Sequence, residues 1–367
     1  MHDSRAEFAH KKEIGHKKNI SHEKNISHEK NISHEKNISH EKNISHETNI
    51  SHEKSLSHET NISHEKSLSH EKRIYINLPE NTKNNQKQLI YYVDGKFMPS
   101  GQAVIPVDDL AVIRGIGVCD LLRTFNGKPL FLREHAERLI QSANEVSLKI
   151  NWSCRDIERI IHDTLNKNPD IDEANIRIII TGGSSEDFIT PTGKPRLLVL
   201  LTSIPPIPSS WYTKGVKVIT VALQRDNPLA KSLSYMPAAM ALSKAKKLNG
   251  VEALYVSKEG IVTEGTTSNL FAFINNRLIT AEEGVLKGIT RKMILELGQK
   301  EFSIELRSMS IEELYGADEV FISGTNKGVV PVVQINDNII GSGKPGTNTQ
   351  KLIKEINNLS TSPESYI

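Results

Sequence analysis

The sequence predicts a two-domain α/β (α+β) protein preceded by a disordered repeat tail. Three observations predict it. The texture changes from polar repeats to alternating strand and helix patterns at Leu89. The strands are short, apolar and β-branched, as in "ANIRIIITGG" and "PRLLVLLTSI", and helical segments follow them. A proline- and serine-rich break, "TSIPPIPSSW" at 202–211, divides the folded part in two. The expected organisation is a tail and linker over 1–88, a small α/β domain over 89–203, a linker over 204–210, a larger domain over 211–359, and a tail over 360–367.

From Asn19 to Lys72 the chain is nine tandem hexads, mostly "NISHEK", with "NISHET", "SLSHEK" and "SLSHET" as variants. One apolar residue in six matches neither the helical period of 3.6 nor the strand period of 2. Such a segment buries too little apolar surface to offset its ordering entropy, so disorder is expected. Twelve of the fourteen histidines lie in residues 1–72, which raises the alternative of a non-catalytic, metal-capturing or scaffolding protein. A six-residue spacing does not place successive imidazoles on one helical face, and no metal is expected.

The net charge of +2 gives no reason to expect nucleic acid. No apolar run is long enough to span a membrane. Two cysteines, Cys119 and Cys154, are too few for a disulfide framework, so a reducing, cytoplasmic setting is expected.

Within the folded part, "LIYYVDGKFMPSGQAVIPVDD" reads as two short strands around a turn at Asp94-Gly95. "GKPLFLREHAERLIQSANEVSL" reads as a strand running into an amphipathic helix. Four stretches then carry chemistry. Lys231, in "DNPLAKSLSYM", sits among small and apolar residues, a setting that suits a neutral, imine-forming amine. Glu264, in "IVTEGTTSNLFAF", is an acid at a strand end beside small hydroxyl residues. Gly288, Ile289 and Thr290, in "LKGITRKMILEL", open a helix whose free amides attract anions. Ser323-Gly324-Thr325-Asn326 ends a strand in a turn of the kind that binds anionic oxygens.

The ordered set K-S-L-x-Y, T-E-G-x-x-S-N-x-F, L-K-G-I-T-R and S-G-T before x-x-P-V closely resembles the class IV aminotransferases. These are the fold-type IV pyridoxal-phosphate enzymes, among them the branched-chain and D-amino acid aminotransferases and the aminodeoxychorismate lyases. The resemblance covers residues 89–359. It implies that Lys231 carries pyridoxal 5′-phosphate and moves the proton between Cα and the cofactor. It implies Glu264 at the pyridine nitrogen, Arg138 on the phosphate, Ile289, Thr290 and Thr325 around that phosphate, Leu286 on the ring face, and Tyr235 beside the lysine. Cys119, Arg177, Thr325 and Asn326 are implied at the substrate, with Cys119 in place of a pocket aromatic and Arg177 receiving a carboxylate. The reaction implied is transfer from a branched-chain amino acid to 2-oxoglutarate in a homodimer. A D-amino acid aminotransferase and a lyase are the alternatives. The loop "SSEDFITPTGK" lacks the basic residues that the D-amino acid enzymes carry there, and Asn175 stands where branched-chain enzymes often have tyrosine.

Overall fold

The computed structural model describes residues 88–361. The hexad repeat, and with it nearly all of the expected tail and linker, lies outside the described residues.

Residues 90–213 hold strands β1 (Ile90–Val93), β2 (Lys96–Pro99), β3 (Gly117–Phe125), β4 (Lys128–Pro129), β5 (Asn175–Thr181) and β6 (Leu197–Thr202), α-helices α1 (Leu110–Arg114), α2 (Leu132–Glu145), α3 (Cys154–Asn166) and α4 (Ser210–Thr213), and a short 3₁₀ turn at Ser100–Gln102. The strands form one antiparallel sheet in the order β2-β1-β6-β5-β3-β4. The turn at Asp94-Gly95 forms, and both residues have positive φ, as a two-residue hairpin of this hand requires. A serine with an acid three residues on, Ser153 and Asp156, makes a capping box at the start of α3.

Period-two alternation splits the sheet's residues between two faces. Val118, Leu122, Ile176, Ile178, Val199 and Leu201 pack with Leu139 of α2 and Ile157 of α3 in one core. The opposite face carries the cross-strand pairs Leu121–Arg177 and Arg123–Asn175. That face belongs to the site described below.

The remaining elements are β7 (Val216–Ala222), α5 (Met236–Lys247), β8 (Glu252–Val256), β9 (Ile261–Gly265), β10 (Asn269–Ile274), β11 (Arg277–Thr280), α6 (Ile289–Gly298), β12 (Ser303–Leu306), β13 (Met309–Ser310), α7 (Ile311–Tyr315), β14 (Glu319–Gly324), β15 (Gly328–Ile335), β16 (Asn338–Ile339) and α8 (Thr347–Thr361). Their strands run β12-β11-β10-β14-β15-β7-β8-β9-β13, with β16 on β15. An additional pairing of β9 with β10, at Glu264–Asn269, curls this sheet into a ring. Phe271, Phe273 and Phe321 pack under α6 and α8, and Val218, Leu254 and Ile322 anchor a second cluster. Glu264 therefore stands at the seam where the ring closes.

Candidate active site

The lysine segment is held by backbone bonds that its sequence does not announce. The Cys119 amide donates to the Lys231 carbonyl (2.8 Å), and the Leu233 amide donates to the Gly117 carbonyl (2.9 Å). Residues 231–233 thus lie along β3 like an added strand. The Lys231 amide also donates to Ser142 Oγ (3.1 Å) on α2. Lys231 Nζ donates to Tyr235 Oη at 3.0 Å. Burial works against the charged amine, Tyr235 and Cys119 favour it, and the net shift of the lysine is upward.

Glu264 is 3% exposed. Its Oε2 accepts from the Leu286 amide (3.0 Å) and from Asn269 Nδ2 (3.4 Å). Its Oε1 accepts from Arg225 Nη1 (2.9 Å). Desolvation pushes its carboxyl upward, against the pull of Arg225 and the Leu286 amide. The Arg225 guanidinium is also bound to the carbonyls of Asn227, Pro228 and Ala230. One arginine therefore ties the acid to the loop that delivers Lys231.

The anion cradle is built from two chain reversals. Gly288 caps α6 without any side-chain bond, so the first amides of the helix have no capping partner. A Cβ at Gly288 would run into Asn269 Oδ1, so the close approach requires glycine. Thr325 and Asn326 face the same space from the turn between β14 and β15. Ser323 Oγ and Asn326 Oδ1 are buried there with no hydrogen-bond partner among the described residues. A buried carboxylate, Glu252, joins the walls: it accepts from Lys327 Nζ (3.0 Å), Thr267 Oγ1 (2.7 Å), Ser268 Oγ (3.0 Å) and Thr266 Oγ1.

Arg138 reaches the cavity from α2. Its Nε and Nη2 donate to both oxygens of the fully buried Asp120 (2.8 and 2.7 Å). Asp120 Oδ1 also lies 2.7 Å from Nδ1 of the buried His135. Nη1 makes no hydrogen bond among the described residues and is the nitrogen left for an anion. Burial pushes His135 below its ordinary value. Burial raises Asp120, but Arg138 and His135 outweigh it and hold its carboxyl well below the usual range.

The sign of the pH dependence follows. Between the lowered His135 value and roughly 6.5 the unfolded chain binds more protons, so stability falls as pH drops below about 6.5. The Asp120 contribution is present above the ordinary aspartate value and is lost only as pH falls through its lowered one. We expect a thermal midpoint that is flat from pH 8 to 7 and declines below about 6.5. A His135→Gln variant should flatten that decline, and an unchanged slope would refute the assignment.

A cavity of about 650 Å³ lies among these groups, within the range of small-molecule sites. Lys231, Tyr235, Glu264, Leu286, Ile289, Thr290, Thr325, Asn326, Arg138 and Arg177 all contribute to its wall. Cys119 does not. It is 4% exposed and absent from the lining, whereas Leu121, two residues on along the same face of β3, takes the lining position. Burial pushes the Cys119 thiol up, so it stays protonated and packs as an apolar group. Sequence reasoning missed Arg225, Glu252 and Lys327, whose partners are brought to them only by folding.

The model of the family described as "Amino-transferase class IV" matches residues 117–335. The chain belongs to the class IV aminotransferases, which are dependent on pyridoxal phosphate. It is 31% identical over 280 residues to a Methanocaldococcus jannaschii protein named "Putative branched-chain-amino-acid aminotransferase", covering 74% of this chain and 96% of that one. It is 30% identical over 276 residues to the D-alanine aminotransferase of Staphylococcus haemolyticus, covering 72% and 96%. The fold superposes on the T.th. branched-chain amino acid aminotransferase solved with pyridoxamine 5′-phosphate at a TM-score of 0.70, with 25% identity, over 76% of this chain and 97% of that one. The fold is that of the type IV enzymes.

The residues fit the cofactor. Uncapped amides, threonine hydroxyls, the unpartnered Ser323 hydroxyl and Nη1 of Arg138 suit a phosphate dianion. A buried acid in the same cavity wall, Glu264, suits a pyridine nitrogen.

Proposed function

We propose that this aminotransferase moves the amino group of a branched-chain L-amino acid to 2-oxoglutarate. The observation that carries the reading is the part of the cavity wall formed by β3 and β5. There Leu121 and Arg177 are cross-strand partners, and both line the cavity. Arg177 is exposed and has no carboxylate partner among the described residues. One wall thus offers an apolar surface for a branched side chain and a guanidinium for a second carboxylate, which suits two substrates used in turn.

In this reading the bound cofactor supplies the electron sink and carries the amino group between half-reactions. Lys231 Nζ holds the cofactor and, once released, moves the proton at the substrate Cα. Tyr235 Oη, 3.0 Å away, orients that amine. Glu264 keeps an anion at the ring nitrogen. Ile289, Thr290, Thr325 and Arg138 hold the phosphate, and Leu286 covers a ring face. Thr325 and Asn326 also stand beside the substrate.

The division at 202–211 separates the strands of the two sheets, in support of two domains over 89–203 and 211–359. Val107, Val112, Met236 and Met240 are large apolar residues left exposed. Such surface supports a homodimer. Two free cysteines fit the cytoplasm, and no helix among the described residues is long and apolar enough to cross a membrane.

The test is the visible spectrum of the protein loaded with pyridoxal phosphate, titrated separately with L-leucine, L-glutamate and D-alanine. Bleaching by L-leucine and L-glutamate is expected. Bleaching by D-alanine alone would overturn the substrate assignment and favour the activity named for the staphylococcal relative.

A further inference from the structure

Arg225 lies in the loop between β7 and Lys231, and it lines the same cavity as Glu264. All four of its terminal N–H groups are engaged. Nη1 donates to the Pro228 carbonyl (3.1 Å) and to Glu264 Oε1 (2.9 Å). Nη2 donates to the carbonyls of Asn227 (3.4 Å) and Ala230. Three carbonyls of one short loop therefore fix the plane of the guanidinium and aim Nη1 at the acid. A compact ammonium has no such fork. Ala230, the residue directly before Lys231, is fully buried.

The acceptor sites of the acid are nearly filled. A carboxylate offers about four, two on each oxygen. On Glu264, Oε2 takes the Leu286 amide (3.0 Å) and Asn269 Nδ2 (3.4 Å). Oε1 takes Arg225 and keeps one site open. Arg225 is also the cation in ion-pair contact with this acid among the described residues. The Glu264 side chain is 5% exposed, and a buried carboxylate without a counter-ion tends to take up a proton. A protonated Glu264 would offer a proton to the ring nitrogen instead of accepting a bond from it.

We propose that Arg225 is a positioning residue for the cofactor's ring nitrogen: it keeps Glu264 an anion with the open Oε1 site for that nitrogen, and it locks the acid to the residue before Lys231. This role rests on the aminotransferase reading and extends it. The cofactor's aldehyde is para to its ring nitrogen, so lysine and acid must be held a fixed distance apart. One guanidinium bound to both Ala230 and Glu264 sets that distance before the cofactor arrives.

The experiment titrates the cofactor-free full chain with pyridoxal 5′-phosphate and with 1-deazapyridoxal 5′-phosphate, in which a C–H group replaces the ring nitrogen. Affinity is read from the absorption spectrum. The parent is expected to prefer the natural cofactor, and Glu264→Gln to abolish that preference. Arg225→Gln is expected to cut the preference by roughly ten- to hundredfold, the range for loss of a charged hydrogen bond. Arg225→Lys, which keeps a cation beside Oε1, should retain part of it. Adding Arg225→Gln to Glu264→Gln should change the preference no further, because the arginine acts through the acid. Thermal melts separate lost binding from lost folding. If Arg225→Gln does not fold, Arg225→Lys carries the comparison, and its preference must fall below that of the parent. A folded Arg225→Gln that weakens both cofactors equally is a brace for the loop alone, and that result overturns the proposal, as does an unchanged preference. If the parent itself binds the two equally, Glu264 is not at the ring nitrogen, and the placement of the acid fails together with this role. A protein that shows the expected preferences but transaminates no donor would overturn the proposed function and leave the role of Arg225 standing.

Discussion

Lys231→Ala is expected to lower turnover by roughly 10⁴-fold, the upper range for removal of a positioned proton-transfer group. Folding should be little affected. The segment is held by its backbone, through the Cys119 amide on the Lys231 carbonyl and the Ser142 hydroxyl at the Lys231 amide, and alanine keeps both bonds. The side-chain amine has Tyr235 Oη as its hydrogen-bond partner, so truncation leaves no buried charge unpaired. The measurement is single-turnover kinetics with each amino donor, beside a thermal melt. Added methylamine should restore a fraction of the rate, because a free amine can replace the missing base but cannot be held in place. A variant within tenfold of the parent would remove Lys231 from the chemistry.

Asp120→Ala is expected to have the largest effect on stability. Asp120 is fully buried, and it accepts two bonds from Arg138 and one contact from His135. The Arg138 side chain is only 10% exposed, so removal of its counter-ion strands a charge in the interior. Breaking a buried pair from one side costs about 3–5 kcal/mol, which in a folded body of this size lowers the melting midpoint by roughly 10 °C. Cofactor affinity should fall with it, since the fork that aims Arg138 into the cavity is lost. Asp120→Asn keeps an acceptor and should fall between parent and alanine. Melting curves and a spectroscopic cofactor titration check both parts, and a loss below about 1 kcal/mol would show that the pair is not a structural anchor.

Several parts of this site are legible in the chain because each is a local signal. The lysine among small residues, the acid before Gly265, the uncapped start of α6 and the Ser323–Thr325 turn are written in contiguous residues, and their order carries the family resemblance. The hairpin at Asp94-Gly95 and the strands β5 and β6 are legible for the same reason: turn chemistry and period-two patterning are short-range properties.

Tertiary structure alone decided which groups meet. Arg225 reaches Glu264 across 39 residues, and Lys327 reaches Glu252 across 75. No local pattern marks either pair, because a charged residue in a loop reads as solvated until folding buries its partner. Cys119 shows the same limit in reverse. Its place in the motif suggests a pocket wall, but Cys119, whose amide pairs with the Lys231 carbonyl, is buried and does not line the cavity, while Leu121 and Arg177 do. Local sequence determined the chemistry available to this protein. Strand register and the closure of the β9–β10 seam determined its arrangement, since only long-range backbone pairing fixes which face of each strand looks into the cleft.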